Sequence, residues 1–198
     1  MINVLYEPFP ESIRIDGKLY EICTDFRKWL RFSDLNADKS VPETEKTMAL
    51  LMLLKQRPLP VPTEKMILEL LAFYHADALN YHPEQDSDED SGIIQPEIRP
   101  PVFHWCIDAA CVLGDFRRFY QMDLRTAESL HWWEFLTLFS ALPKESRCQE
   151  RIAYRAADLT KIRNEDEKAR IRKIKRAIAL PYEMDDEDIG AVFGEMMQ

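Results

Sequence analysis

His131 and Glu134 stand three residues apart within "LHWWEFLTLFSALP" (130–143), a spacing that sets an imidazole and a carboxylate on one side of a helix. Such a pair could begin a metal site or an acid–base pair. HxxE is not the HExxH of zinc proteases, however, and no partner spacing accompanies it. His104, Cys106, Cys111 and Cys148 are ligand types for zinc, but they lack the close pairs that such sites use. With Cys23 included, the thiols show no CxxC and no dense framework, so packed free cysteines in a reducing cytoplasm are the simpler reading. Asp108, Asp115 and Asp123 offer carboxylates, but spacing alone does not make them an acid/base set. There is no GxSxG and no glycine fingerprint for a nucleotide. The expectation is a protein that is not an enzyme and has no metal or cofactor.

The run "KARIRKIKR" (168–176) could meet phosphates. Its order argues for a solvated amphipathic helix. Glu165, Asp166 and Glu167 lie in the first turn and Arg172, Lys173, Lys175 and Arg176 later, which complements the helix dipole. Ile171, Ile174, Ala177 and Ile178 would form its buried stripe. The whole chain of 198 residues carries a net charge of −9, which opposes general nucleic-acid binding because phosphates must be met by excess Lys and Arg. Nucleic acid is therefore not the expected partner.

These side chains must be held by a core, and hydrophobic residues at 46% suffice for one. Five glycines against twelve prolines favour helices bounded by proline-marked loops over glycine-rich turns. The apolar run "MALLMLL" (48–54) is far too short to span a bilayer. "MINVLYEPFPESI" has neither a basic nor an apolar signal region, so no secretory leader is expected.

The spacing predicts a mainly α fold: a helical bundle of about six to seven helices behind a short N-terminal β-hairpin. Asp16-Gly17 separates Ile13 and Ile15 from Leu19 and Ile22, the pattern of a two-residue turn, and a lone hairpin must pack on helices. Helices are expected at 24–35, capped by Thr24 or Asp25 with Phe26, Trp29, Leu30 and Ser33 on one side, at 42–57, and at 63–81 from Thr63. Residues 82–101, acidic and proline-containing, read as a solvated loop between an N-terminal part (1–81) and a C-terminal helical region (102–180). That region would hold helices at 102–120, at the stretch quoted above (capped by Asp123 or Thr126), at 144–163 and at 164–180, the last opened by Asn164 with Glu167.

In the central stretch, Trp132, Phe135, Leu136 and Phe139 form one stripe, and Leu130, Trp133 and Leu138 broaden it nearly all round. A helix of this kind lies in a core or at an interface. Adjacent tryptophans point about 100° apart, so one of them, Trp133, is a candidate partner contact. The tail 181–198 places Ile189, Val192, Phe193 and Met196 at helical spacing behind acids. Gly190 and Gly194 weaken an isolated helix by roughly 1 kcal/mol each, so the tail suits folding on a partner.

"IDAACVLGDFRRFYQMDL" (107–124), "LHWWEFLTLFSALP" (130–143) and "YRAADLTKI" (154–162), in that order, resemble the bacteriophage gene product fifteen family. "IRIDGKLYEICTDFRKWLRF" fits its opening strand–turn–helix, and "QMDL" stands where the family has a glycine-containing turn. The resemblance covers roughly residues 12–180. It implies a siphophage tail-module protein, made beside a tape-measure protein in the bacterial host cytoplasm and acting as a tail assembly chaperone. Its partners would be the tape-measure protein or a neighbouring chaperone, with self-association a further expectation and no membrane involved. Exposed apolar stripes on such a long helical client must be covered before the tube surrounds it. Acidic copies packed along it would repel one another and stay soluble. A structural component retained in the virion, and a nucleic-acid-binding regulator using 168–176, are the alternative readings.

Overall fold

The computed structural model describes residues 3–79 and 102–180. Among them the chain is mainly α, with seven α-helices and one antiparallel hairpin, as the spacing predicts. The described residues fall into two compact units. The first holds 3–79 with 127–140, and the second 102–126 with 141–180. The central tryptophan helix, which follows the acidic segment in sequence, thus belongs to the N-terminal unit.

In the first unit, β1 (Ser12–Ile15) pairs with β2 (Lys18–Glu21) in the register Ile13↔Tyr20 and Ile15↔Lys18. Asp16 (φ 50) and Gly17 (φ 81) both take positive φ, which matches the right-handed twist of the flanking strands. Ile13 and Ile15 are buried and Leu19 is exposed, so one face of the hairpin is covered. Its cover is α3 (Glu64–His75), which packs on β1.

α1 (Phe26–Ala37) starts after Asp25, whose carboxylate accepts from Arg27 N at 2.8 Å. It buries Phe26, Trp29 and Phe32 rather than Leu30 and Ser33. Phe32 is drawn in by edge contacts to Trp29 (6.3 Å) and Tyr74 (5.3 Å). α2 (Glu43–Leu51) is shorter than the expected 42–57. Beyond it the backbone is used by another element. Cys23 N donates to Leu53 O (2.7 Å) and Lys55 N to Glu21 O (2.9 Å), and Ile22 bridges Leu54. Leu53 and Leu54 are buried in that extended pairing, so tertiary contacts override the apolar helical run. α3 is capped by Thr63, which accepts from Met66 N at 3.2 Å. It ends at Ala76, where φ is 54, rather than continuing to 81.

In the second unit, α4 (Ala109–Tyr120) begins later than the predicted 102. The reason lies in Asp108, whose carboxylate accepts from His104 N (3.1 Å) and draws residues 104–108 into a turn. α4 ends on Gln121 at φ 55, the left-handed position that glycine favours. α6 (Arg147–Ala156) is capped by Ser146, which accepts from Gln149 N at 3.2 Å; a 3-10 turn follows at Leu159–Lys161. α7 (Glu165–Ala177) starts on Asn164, which accepts from Asp166 N and Glu167 N. Its expected buried stripe is only half-covered: Ile171, Ile174 and Ile178 are intermediate and Ala177 is exposed.

Candidate functional site

α5 (Trp132–Ser140) carries the tryptophan pair. Neither Asp123 nor Thr126 caps it. Its first turn is set by His131, whose Nδ1 accepts from Trp133 N at 3.0 Å, and by backbone pairing in which Trp132 N donates to Thr24 O (2.7 Å) and Phe26 N to Leu130 O (3.2 Å). Asp123 is engaged elsewhere, by Arg117 and Arg125. Bonds from Arg125 and Arg117 hold its carboxyl well below the usual range.

The two indoles do a specific task. Trp132 Nε1 donates to Tyr74 O at 2.8 Å and Trp133 Nε1 to Phe73 O at 2.7 Å. These carbonyls lie in the last turn of α3, where helical acceptors lack intrahelical donors. Adjacent tryptophans on one helix therefore cap the C-terminus of another. A third indole, Trp29, donates to Cys23 O at 2.7 Å. Around these bonds the rings pack closely. Trp132 stacks on Tyr74 (5.8 Å, 5°) and Phe135 (5.8 Å, 17°), and Phe26 stacks on Phe135 (4.9 Å, 20°). Offset stacks of this kind stabilise by about 0.5–1.5 kcal/mol beyond the area they bury. The helix is not apolar all round, because Glu134, Thr137 and Ser140 face solvent along one stripe.

Trp133, the expected partner contact of this helix, is 3% exposed. Its ring lies against Phe73 (5.1 Å) and Phe9 (6.3 Å). The bond to Phe73 O holds this second indole inward within the unit. Ile189, Val192, Phe193 and Met196 lie outside the described residues. Exposed apolar side chains in the first unit are found elsewhere: Met48 (53%) and Met52 (59%), one turn apart on the α2 segment, and Leu68 (58%) on α3.

The carboxylates singled out for chemistry are structural in the second unit. Asp108 is fully buried and takes Arg155 Nη1 (2.6 Å), Arg155 Nη2 (3.0 Å) and Arg151 Nη1 (2.8 Å). Burial raises its pKa, but the bonds from Arg155, His104 N and Arg151 outweigh it and hold the carboxyl below its ordinary range. Arg155 also donates to Ile178 O (2.7 Å) and Val102 O (3.1 Å), tying together the two ends of the described second unit. Asp115, buried, accepts from Arg147 N (3.2 Å) and Cys148 N (2.8 Å). It therefore supplements Ser146 at the start of α6. Burial, with Asp115 beside it, pushes the Cys148 thiol far up. His104 Nδ1 accepts from Cys106 N (3.2 Å). Among the described residues no three His, Cys, Asp or Glu side chains gather into a metal-holding group. Nor is any helix there long and apolar enough to cross a membrane.

Sequence reasoning missed Arg155 and Asp115 as organising residues. For Arg155 the available signal was its place in "YRAADLTKI" (154–162), one of the stretches that carry the resemblance. Asp115 left none, since its partners come from a distant helix start.

The fold and its polar interior define a mainly α protein in which the conspicuous aromatic and acidic residues build the units themselves. The family described as Bacteriophage Gp15 protein matches residues 5–180, and the chain belongs to that family. Comparison with curated proteins and with solved structures gave no match.

Proposed function

We propose that this protein is a non-catalytic assembly factor of a long, non-contractile phage tail, acting in the cytoplasm of the bacterial host. It covers apolar helices of the tape-measure protein, or engages a neighbouring tail chaperone, while the tail is built. The observation that carries the reading is membership of a bacteriophage protein family over residues 5–180. Two features support it. The candidate acids Asp108, Asp115 and Asp123 are committed to structural bonds with arginines or helix N–H groups. Exposed Met48, Met52 and Leu68 offer adaptable apolar surface of the kind that fits helical clients. The tail residues Ile189, Val192, Phe193 and Met196 are the first contact we assign, and copies of the chain associate along the client.

Co-expression with the tape-measure protein tests this. The full chain should keep the client in solution and co-purify with it, and a chain lacking residues 182–198 should bind more weakly with unchanged helicity. Equal binding by the truncated chain would refute the tail assignment. A client equally soluble alone would refute the chaperone reading.

A further inference from the structure

The N-terminal segment meets the start of α5 at His131 and Trp133. His131 Nε2 lies 3.1 Å from Pro10 O, while Nδ1 accepts from Trp133 N at 3.0 Å. With Nδ1 acting as an acceptor, the proton must sit on Nε2 and point at Pro10 O. The geometry therefore selects a neutral imidazole in one tautomer. Phe9 stacks on the same ring (5.0 Å, 21°) and meets Trp133 edge-on (6.3 Å). Before Phe9 the chain makes a local turn, with Tyr6 N and Glu7 N donating to Asn3 O, and Val4, Leu5 and Tyr6 are exposed. The segment is thus fastened at Phe9 and Pro10, onto an imidazole that caps a helix.

We infer that residues 3–10 form a proton-released strap over Trp133, with His131 as its latch. A second proton on the ring would sit on Nδ1 and face the Trp133 N–H, so two donors would oppose each other. The cap is then lost, the ring turns, and Phe9 and Pro10 lose their seat. The Pro10 O bond favours the protonated ring, as do the charged groups of the adjoining elements, Glu134 on α5 and Glu11 just after the strap. Burial acts the other way, is larger, and lowers the pKa below its ordinary value. Asp25, bridged to His131 through the backbone, has its carboxylate on Arg27. α3 presents the Phe73 ring (5.9 Å). The strap is therefore closed at neutral pH and above, and opens as pH falls through the His131 midpoint. This follows from the first unit alone and is independent of the client reading.

The test is an NMR titration of the full chain between about pH 7.5 and 5, bracketing the usual histidine range. His131 ring shifts give tautomer and midpoint, and heteronuclear NOEs of residues 4–9 give strap order. The expected result is an Nε2–H tautomer at high pH and a midpoint below about 6.5, with strap NOEs falling in step. His131→Asn, which keeps a capping acceptor that does not titrate, should abolish that step at unchanged helicity. A strap that stays ordered while His131 protonates would overturn the inference, as would a pH-dependent step in strap order that persists in His131→Asn.

Discussion

Substituting each central tryptophan by phenylalanine should separate two carbonyls that look equivalent in sequence. Trp132→Phe removes the donor to Tyr74 O, and no other donor reaches that oxygen among the described residues. Leaving this part-buried acceptor unmet costs about 1–2 kcal/mol, the lower part of the range for an orphaned group, and the smaller ring leaves a gap costing about 1–2 kcal/mol. The sum is about 3 kcal/mol by those two principles. Trp133→Phe removes the donor to Phe73 O, but that oxygen keeps Ala76 N–H at 3.1 Å. Its loss is then a net hydrogen bond of about 0.5–1.5 kcal/mol plus a similar gap, about 2 kcal/mol in all. Urea unfolding of both variants in a Trp105→Phe background, followed by tryptophan fluorescence, reads the first unit through Trp29 and the remaining central indole. The order Trp132→Phe more damaging than Trp133→Phe is expected. Equal costs, or the reverse order, would refute the argument that helix capping by the indoles stabilises this unit.

Gln121 holds the left-handed position at the end of α4 (φ 55), so Gln121→Gly should stabilise the second unit by up to about 1 kcal/mol in thermal or urea melts. Arg155→Met leaves Asp108 with Arg151 but strips the bonds to Val102 O and Ile178 O; breaking this buried pair should cost about 3–5 kcal/mol, read by hydrogen exchange of the α4 and α6 amides. Asp108 titrates below its ordinary value in the fold. Its contribution is therefore fully present above the unfolded carboxyl range near about pH 4 and is lost as pH falls towards the folded value, so acid melts of Asp108→Asn should lose part of the wild-type pH dependence. Exposed Cys106 should react with a maleimide at neutral pH while Cys148, buried and pushed up, reacts only on unfolding; comparable rates in the folded chain would contradict its burial.

What the sequence discloses here is local. Asp25, Thr63 and Asn164 cap their helices as their types suggest, because the bond from cap to N–H spans two or three residues. The Asp16-Gly17 turn is legible for the same reason. The end of α2 is not, since Leu53, Leu54 and Lys55 follow an apolar helical run and leave it only to pair with Glu21–Cys23. Phe32 is missed by the stripe of Phe26, Trp29, Leu30 and Ser33 because Trp29 and, from another helix, Tyr74 draw it into the buried face. "LHWW" advertises burial, but not that its indoles seek the carbonyls of α3, a partner set by tertiary structure. The same holds for the site. The acids were visible as residues, yet only Arg155 and the start of α6 reveal that they are already occupied.

The most direct measurement is quantitative mass spectrometry of this chain in purified assembly intermediates and in finished virions. The account predicts association with tape-measure-containing intermediates and loss from the completed particle. A fixed number of copies in finished virions would make it a tail component instead, and absence from both fractions would contradict the assembly role.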